Sequence, residues 1–188
     1  MIDWTEFERI CRNCKKCELH KTRTNIVFGK GDLHADLMFI SEAPGQQEDL
    51  SGVPFVGPSG QLLDKILTSV DLTRDEIYLA NILKCRPPRN RNPLDCEKEA
   101  CLPYLRYQVQ LIHPKVIVCL GRVASQSIIK PDLKITKEHG TFFYRNGYCL
   151  IPTYHPSALL RDPSKKRDVW EDFKKIKAKY DELRTESK

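Results

Sequence analysis

Cys14-Lys15-Lys16-Cys17 is a CxxC pair, and Cys85 and Cys101 stand much further along the chain. Four thiolates suit a [4Fe–4S] cluster or a structural zinc ion, because both accept tetrahedral sulfur ligation. Spacing alone does not choose between the two metals. Nor does it separate Cys14 from Cys11, which forms a second CxxC with it, or Cys101 from Cys96. Cys119 and Cys149 each lie inside an apolar run and read as small buried hydrophobes. The chain has 8 cysteines, and clustering of this kind points to ligation rather than disulfides in a reducing compartment.

Three further segments hold side chains suited to chemistry. They are Ser41-Glu42-Ala43-Pro44-Gly45, Asn81 with the proline-rich loop behind it, and His155-Pro156-Ser157. A carboxamide such as Asn81 offers a donor and an acceptor side by side. An imidazole such as His155 can donate to an oxygen on which negative charge develops. Each has a plainer reading: a strand-end cap for Asn81, a satisfied structural histidine for His155, and a core aromatic for Phe55.

These residues need elements that bring them together. Thr5 to Cys14 reads as a short amphipathic helix. Leu37 to Ile40, Ile77 to Leu83 and Val116 to Leu120 are apolar runs expected to form buried strands. A long glycine- and proline-rich loop follows Ser41, and Ser59 is expected to cap a helix through Leu67. Asp95 is expected to cap a helix reaching about Ile112, and Gly121 to precede one through Ile128. Thr141 to Tyr144 and Tyr148 to Tyr154 form paired strands around Asn146-Gly147, a hairpin turn signal. A last helix starts near Lys165. Strands alternating with helices predict an α/β architecture with a mainly parallel sheet, and ligands then sit outside the carboxyl ends of its strands. All three segments above follow strand ends, so one rim would gather them.

At 188 residues the chain fits one domain, 1–188, with a charged tail from about residue 180. The opening MIDWTEFERI lacks the layout of a secretory signal, and no apolar run is long enough to span a bilayer. A cytoplasmic protein with no membrane is expected. Lys plus Arg is 31 against 25 for Asp plus Glu, a net charge of +6 compatible with a polyanionic partner. Lys84, Arg86, Arg89 and Arg91 stand together with no acid among them.

Five ordered segments resemble motifs of the family 4 uracil-DNA glycosylases. They are Cys14-x-x-Cys17-Glu-Leu with Thr22-Arg23-Thr24, Glu42-Ala43-Pro44-Gly45 with Glu48-Asp49, and Pro54-Phe55-Val56-Gly57. Asn81-Ile-Leu-Lys-Cys85-Arg-Pro-Pro with Asn90-Arg91-x-Pro93, and His155-Pro-Ser-Ala-Leu-Leu-Arg161, complete the set. The resemblance implies a three-layer α/β/α fold around a mainly parallel four-stranded sheet, and an enzyme that flips uracil out of DNA and hydrolyses its N-glycosidic bond. It implies a [4Fe–4S] cluster on Cys14, Cys17, Cys85 and Cys101, bracing the fold rather than doing redox chemistry, with Cys11 and Cys96 as non-ligands.

On the same footing, Asn81 reads the polar edge of uracil, Phe55 stacks on its ring, and His155 stabilises the departing anion; Glu42 and Ala43 adjoin the base. The best-known uracil-DNA glycosylases carry an aspartate where this chain has Ala43 and a methyl-shielding tyrosine where it has Gly45. Glu42 is therefore expected near the attacking water and Glu48 at the pocket mouth. Ser41 replaces the usual glycine before Glu42. Lys84, Arg86, Arg89, Arg91 and Arg161 are expected on phosphates, with Leu159 and Leu160 as a wedge where the base has left. The implied partner is uracil-containing DNA, single- or double-stranded, met by a monomer, with a sliding clamp or other repair protein as a candidate further partner. Alternatives are a glycosylase acting on hypoxanthine or mismatched bases, and a non-catalytic iron–sulfur or zinc nucleic-acid-binding module.

Overall fold

Runs such as Leu37–Ile40 and Val116–Leu120 have no polar side chain to offer to water, so both faces of each strand must be covered. The computed structural model, which describes residues 2–185, shows how. Strands run over Lys30–Gly31 (β1), Leu37–Ser41 (β2), Ile77–Asn81 (β3), Val116–Leu120 (β4), Phe143–Arg145 (β5) and Tyr148–Thr153 (β6). They form one sheet in the order β1-β3-β2-β4-β6-β5. The pairs β3–β2, β2–β4 and β4–β6 are parallel, and the two edge strands are antiparallel. The expected four-stranded parallel sheet is thus the centre of a wider one. Of the added edges, β5 is the hairpin arm anticipated around Asn146-Gly147, where both residues take positive φ. The two-residue β1 carries no strand pattern of its own.

Helices are Trp4–Arg12 (α1), Gln46–Ser51 (α2), Pro58–Thr68 (α3), Asp95–Ile112 (α4), Arg122–Ile128 (α5), Ile135–Glu138 (α6), Pro156–Arg161 (α7) and Lys166–Thr185 (α8). Alternate residues of each strand serve opposite layers. Met38, Ile40, Ile117 and Cys119 join Phe7, Cys11, Leu105 and Ala124 from α1, α4 and α5. Leu37, Phe39, Val116 and Val118 join Leu63, Leu67, Leu159 and Phe173 from α3, α7 and α8. This is a three-layer α/β/α arrangement, as expected.

Four local expectations need correction. Gly57, not Ser59, is the N-cap of α3, because Pro58 already occupies its first turn. Leu94 precedes α4 as its cap, with its N–H donating to the Glu97 carboxylate at 2.9 Å. The loop after Ser41 contains α2. The charged tail from about residue 180 is still helix to Thr185, anchored by buried Tyr180, and residues 186–188 lie outside the described part. Among the described residues no helix is long and apolar enough to cross a membrane.

Candidate active site

β2 passes to β3 on one side, while β4 lies on its other side. The chain changes direction here, and the carboxyl ends of β2 and β4 therefore bound the crevice in which ligands bind in such sheets. Four strand ends meet along this rim: Ser41 at the end of β2 with Glu42 after it, Asn81 at the end of β3, Gly121 after β4 and His155 after β6. The three chemistry-bearing segments are brought to one edge.

Asn81 is buried at 2% exposure, and its Oδ1 accepts a hydrogen bond from the Ser41 hydroxyl. Its backbone is equally fixed, since its carbonyl accepts from Lys84 Nζ at 3.0 Å. Past the strand ends the two chains stay paired, with Ile82 N donating to Ser41 O at 2.8 Å and Leu83 N to Glu42 O at 3.0 Å.

Phe55 lies in a turn that is strained and held from several directions. Its φ of 56° is in the left-handed region, which costs a residue with a side chain roughly 1–2 kcal/mol. Arg74 Nη2 donates to the Phe55 carbonyl at 2.6 Å while its Nε donates to Asp64 at 2.5 Å. Glu48 Oε1 accepts from Val56 N at 3.0 Å and Gly57 N at 2.8 Å. Gly60 is obligatory, because a Cβ there would fall 1.9 Å from the Phe55 carbonyl oxygen. So held, the Phe55 ring stacks beside His155, with centroids 6.0 Å apart and planes at 28°.

His155 caps α7. Its Nδ1 accepts from Ser157 N at 3.1 Å and lies 2.8 Å from Ser157 Oγ. A ring nitrogen that accepts a backbone N–H carries no proton, so the imidazole's own N–H is on Nε2. Burial, aided by the Arg161 charge, pushes its pKa down to about 4. His155 is thus a neutral donor at ordinary pH. Behind it, Thr153 Oγ1 donates to buried Asp172 at 2.6 Å, and His139 Nδ1 lies 2.9 Å from the same carboxylate, tying the end of β6 to α8.

Glu42 is half-buried, and desolvation raises its pKa against the pull of Arg122 and Lys98. Ala43 beside it packs on the core face of α1 and α4. Glu48 was expected at the pocket mouth. One of its oxygens is committed to the Phe55 turn, and the other stands 2.7 Å from where a Cβ on Gly45 would lie. It therefore fills the space a side chain at position 45 would take, and it braces the Phe55 turn.

Cys11, Cys14, Cys17, Cys85 and Cys101 all line one concavity with Arg23, Lys84 and Tyr104, whereas Cys96 is exposed and outside it. Arg23 Nη1 donates to Cys85 Sγ at 3.3 Å and Lys84 N to Cys101 Sγ at 3.2 Å. Among the described residues, no three His, Cys, Asp or Glu side chains close to the spacing of a single metal ion.

Several residues expected to face DNA do not. Lys84 is 1% exposed, and its Nζ is used by Asn81 O and by Gln108 Oε1 at 2.5 Å. Arg91 remains exposed, but its guanidinium is clamped bidentately on buried Glu97 at 2.6 and 2.9 Å. Leu159 is 2% exposed in the core, while Leu160 beside it is 52% exposed. Arg86 bonds Asn90 Oδ1 at 2.7 Å. Arg89 and Arg161 are exposed. The sequence also left unmarked Gly60, and it left unmarked Arg74, Gln108 and Asp172, whose partners lie far away in the chain.

Fold and site together define a protein with a donor-lined crevice at the switch point of a parallel sheet. Residues 28–174 match the model of the uracil DNA glycosylase superfamily. The type-4 uracil-DNA glycosylase of Archaeoglobus fulgidus is 45% identical over 87% of this chain and 86% of its own length. That of Thermotoga maritima is 42% identical over 91% of each chain. The type-5 uracil-DNA glycosylase of Pyrobaculum aerophilum is 31% identical over 69% of this chain and 64% of its own. This chain belongs to the uracil DNA glycosylase superfamily.

Proposed function

We propose that this chain is a type-4 uracil-DNA glycosylase: it excises uracil from DNA and leaves an abasic site. The observation that carries the chemistry is the neutral His155, with its N–H on Nε2, stacked beside Phe55 on the rim that holds buried Asn81. The base is turned out of the helix to reach this crevice. Asn81 reads its N3–H and O4, and Phe55 packs on the ring. As the C1′–N1 bond breaks, the electron pair stays with uracil, and His155 Nε2–H donates to O2 where that charge collects. Water replaces the base on the sugar carbon. Glu42 orients that water and accepts its proton, a task for which its raised pKa suits it. Leu160 fills the gap left in the stack, and Arg161, Arg89 and Arg86 neutralise nearby phosphates.

Cys14, Cys17, Cys85 and Cys101 hold a [4Fe–4S] cluster. The donor set fits: thiols from three distant segments share one concavity, and Arg23 and the Lys84 backbone N–H donate to two of the sulfurs. Lys84 supports the same reading, since a fully buried ammonium with only neutral oxygen partners needs a neighbouring anion, which a thiolate centre supplies. When bound, the cluster braces the segment from Asn81 to α4. A reducing, intracellular compartment follows from that chemistry.

The test is incubation with a uracil-containing oligonucleotide, which should yield free uracil and an abasic site; intact DNA would refute the activity. Anaerobically purified protein should hold about four iron per chain. Cys85→Ala should lose the iron and Cys96→Ala should keep it. Stoichiometric zinc in colourless protein would overturn the cluster.

A further inference from the structure

We propose that Ser41 is a positioning residue that fixes which way round Asn81 presents its carboxamide, and so sets the choice of uracil over cytosine. The proposal rests on the uracil-excision reading above. Ser41 and Asn81 are the last residues of β2 and β3 and are register partners across that parallel pair. Both are 2% exposed. The Ser41 hydroxyl donates to Asn81 Oδ1 and makes no other hydrogen bond among the described residues.

An asparagine alone does not choose between the two bases. Uracil offers N3–H as donor and O4 as acceptor, while cytosine offers N3 as acceptor and its 4-amino group as donor. A carboxamide turned by half a rotation about its terminal bond exchanges oxygen for NH2 and complements the other base equally well. Specificity therefore requires that the amide be locked. In the observed orientation Oδ1 takes the Ser41 proton on one lone pair and keeps the other for uracil N3–H, leaving Nδ2 to donate to O4. In the turned orientation the Ser41 oxygen faces the NH2 group, and its own proton is left buried with no acceptor. An orphaned buried donor disfavours that orientation about tenfold or more. The backbone beneath is held by Lys84 on the Asn81 carbonyl and by Ile82 N on the Ser41 carbonyl, so the lock does not drift.

The experiment compares single-turnover release of uracil and of cytosine from otherwise identical single-stranded oligonucleotides by the wild-type protein, Ser41→Ala and Ser41→Thr. Ser41→Ala should lower the uracil-over-cytosine rate ratio by about tenfold, with new cytosine release, and Ser41→Thr should restore it. A purely structural role would slow both bases alike and leave the ratio unmoved. An unchanged ratio, or equal loss on both bases, in folded Ser41→Ala overturns the lock. If that variant fails to fold, Ser41→Cys, which keeps the size but offers only a weak S–H donor to Asn81, is measured with the same two outcomes. Absence of uracil release by the wild-type protein would instead sink the glycosylase reading, so the two failures are distinguishable.

Discussion

The segment 84–91 and the segment 155–161 were both expected to meet DNA, and the fold uses them in opposite ways. In the first, Lys84 is buried against Gln108, Arg91 is exposed yet tied to buried Glu97, and Arg89 stands exposed at the tip. In the second, the α7 turn sends Leu159 into the core and presents Leu160 and Arg161 to solvent. One cation-rich stretch is mainly an internal strut, and one mostly apolar stretch is mainly an outward tool. Charge in the sequence therefore does not by itself mark a side chain free to meet a ligand; what decides is whether an acceptor elsewhere in the chain claims the cation first.

The two adjacent leucines give the largest expected separation. Leu159→Ala should destabilise the fold by about 2–5 kcal/mol, as buried leucine truncations do, and should lower the denaturation midpoint. Leu160→Ala should leave stability within about 0.5 kcal/mol of the wild type yet slow excision from duplex DNA more than from single strands, where no stack needs filling. Equal effects of both variants on stability would erase the contrast within α7.

His155 heads the same segment, and its neutrality separates two roles. His155→Ala should slow single-turnover excision about 100-fold, the scale of a missing oxyanion donor, while affinity for DNA stays near normal. With its pKa pushed down to about 4, the ring has no proton to give up between pH 5 and 8. The wild-type rate should thus not fall across that range as a general acid's would. Stability carries the complementary sign. Between about pH 4 and the ordinary histidine value near 6.5, the unfolded chain binds the proton more readily than the folded one. Stability from this group should fall as pH drops through that window, by roughly 2 kcal/mol given a half-buried ring, and His155→Gln should flatten the drop. Folding stability measured by denaturant at several pH values reads it directly.

Much of this was legible locally. Apolar runs located the central strands, Asn146-Gly147 marked the hairpin, and the order of strand ends gathered Glu42, Asn81 and His155 from the sequence alone. What escaped was long-range. Arg74 reaches Phe55 across 19 positions and Lys84 meets Gln108 across 24, and no spacing rule connects such partners. Glu48 was expected at the pocket mouth, and no spacing rule announced that one of its oxygens would accept from two backbone N–H groups of the Phe55 turn. Leu159 and Leu160 are identical as letters; the phase of a six-residue helix decides between them, and a fragment that short shows no period.

The smallest expected effect tests the first segment. Removing one phosphate-binding cation should reduce the slope of log affinity against log salt by about 0.9 on duplex DNA. Arg89→Ala should show that reduction, equally on uracil-containing and control DNA, with stability unchanged because its side chain is exposed. Arg91→Ala should show the reverse pattern. Its guanidinium holds buried Glu97 through two hydrogen bonds, so its removal strands that carboxylate: the slope should hold steady while stability drops. Lys84→Ala should likewise leave the slope alone, since its ammonium lies beneath Asn81 and out of reach of any phosphate. The measurement is a salt titration of binding beside a denaturant titration of each variant. If Lys84→Ala or Arg91→Ala changed the slope as much as Arg89→Ala, the loop would be a phosphate clamp along its whole length. The contrast with α7 would then be one of degree only.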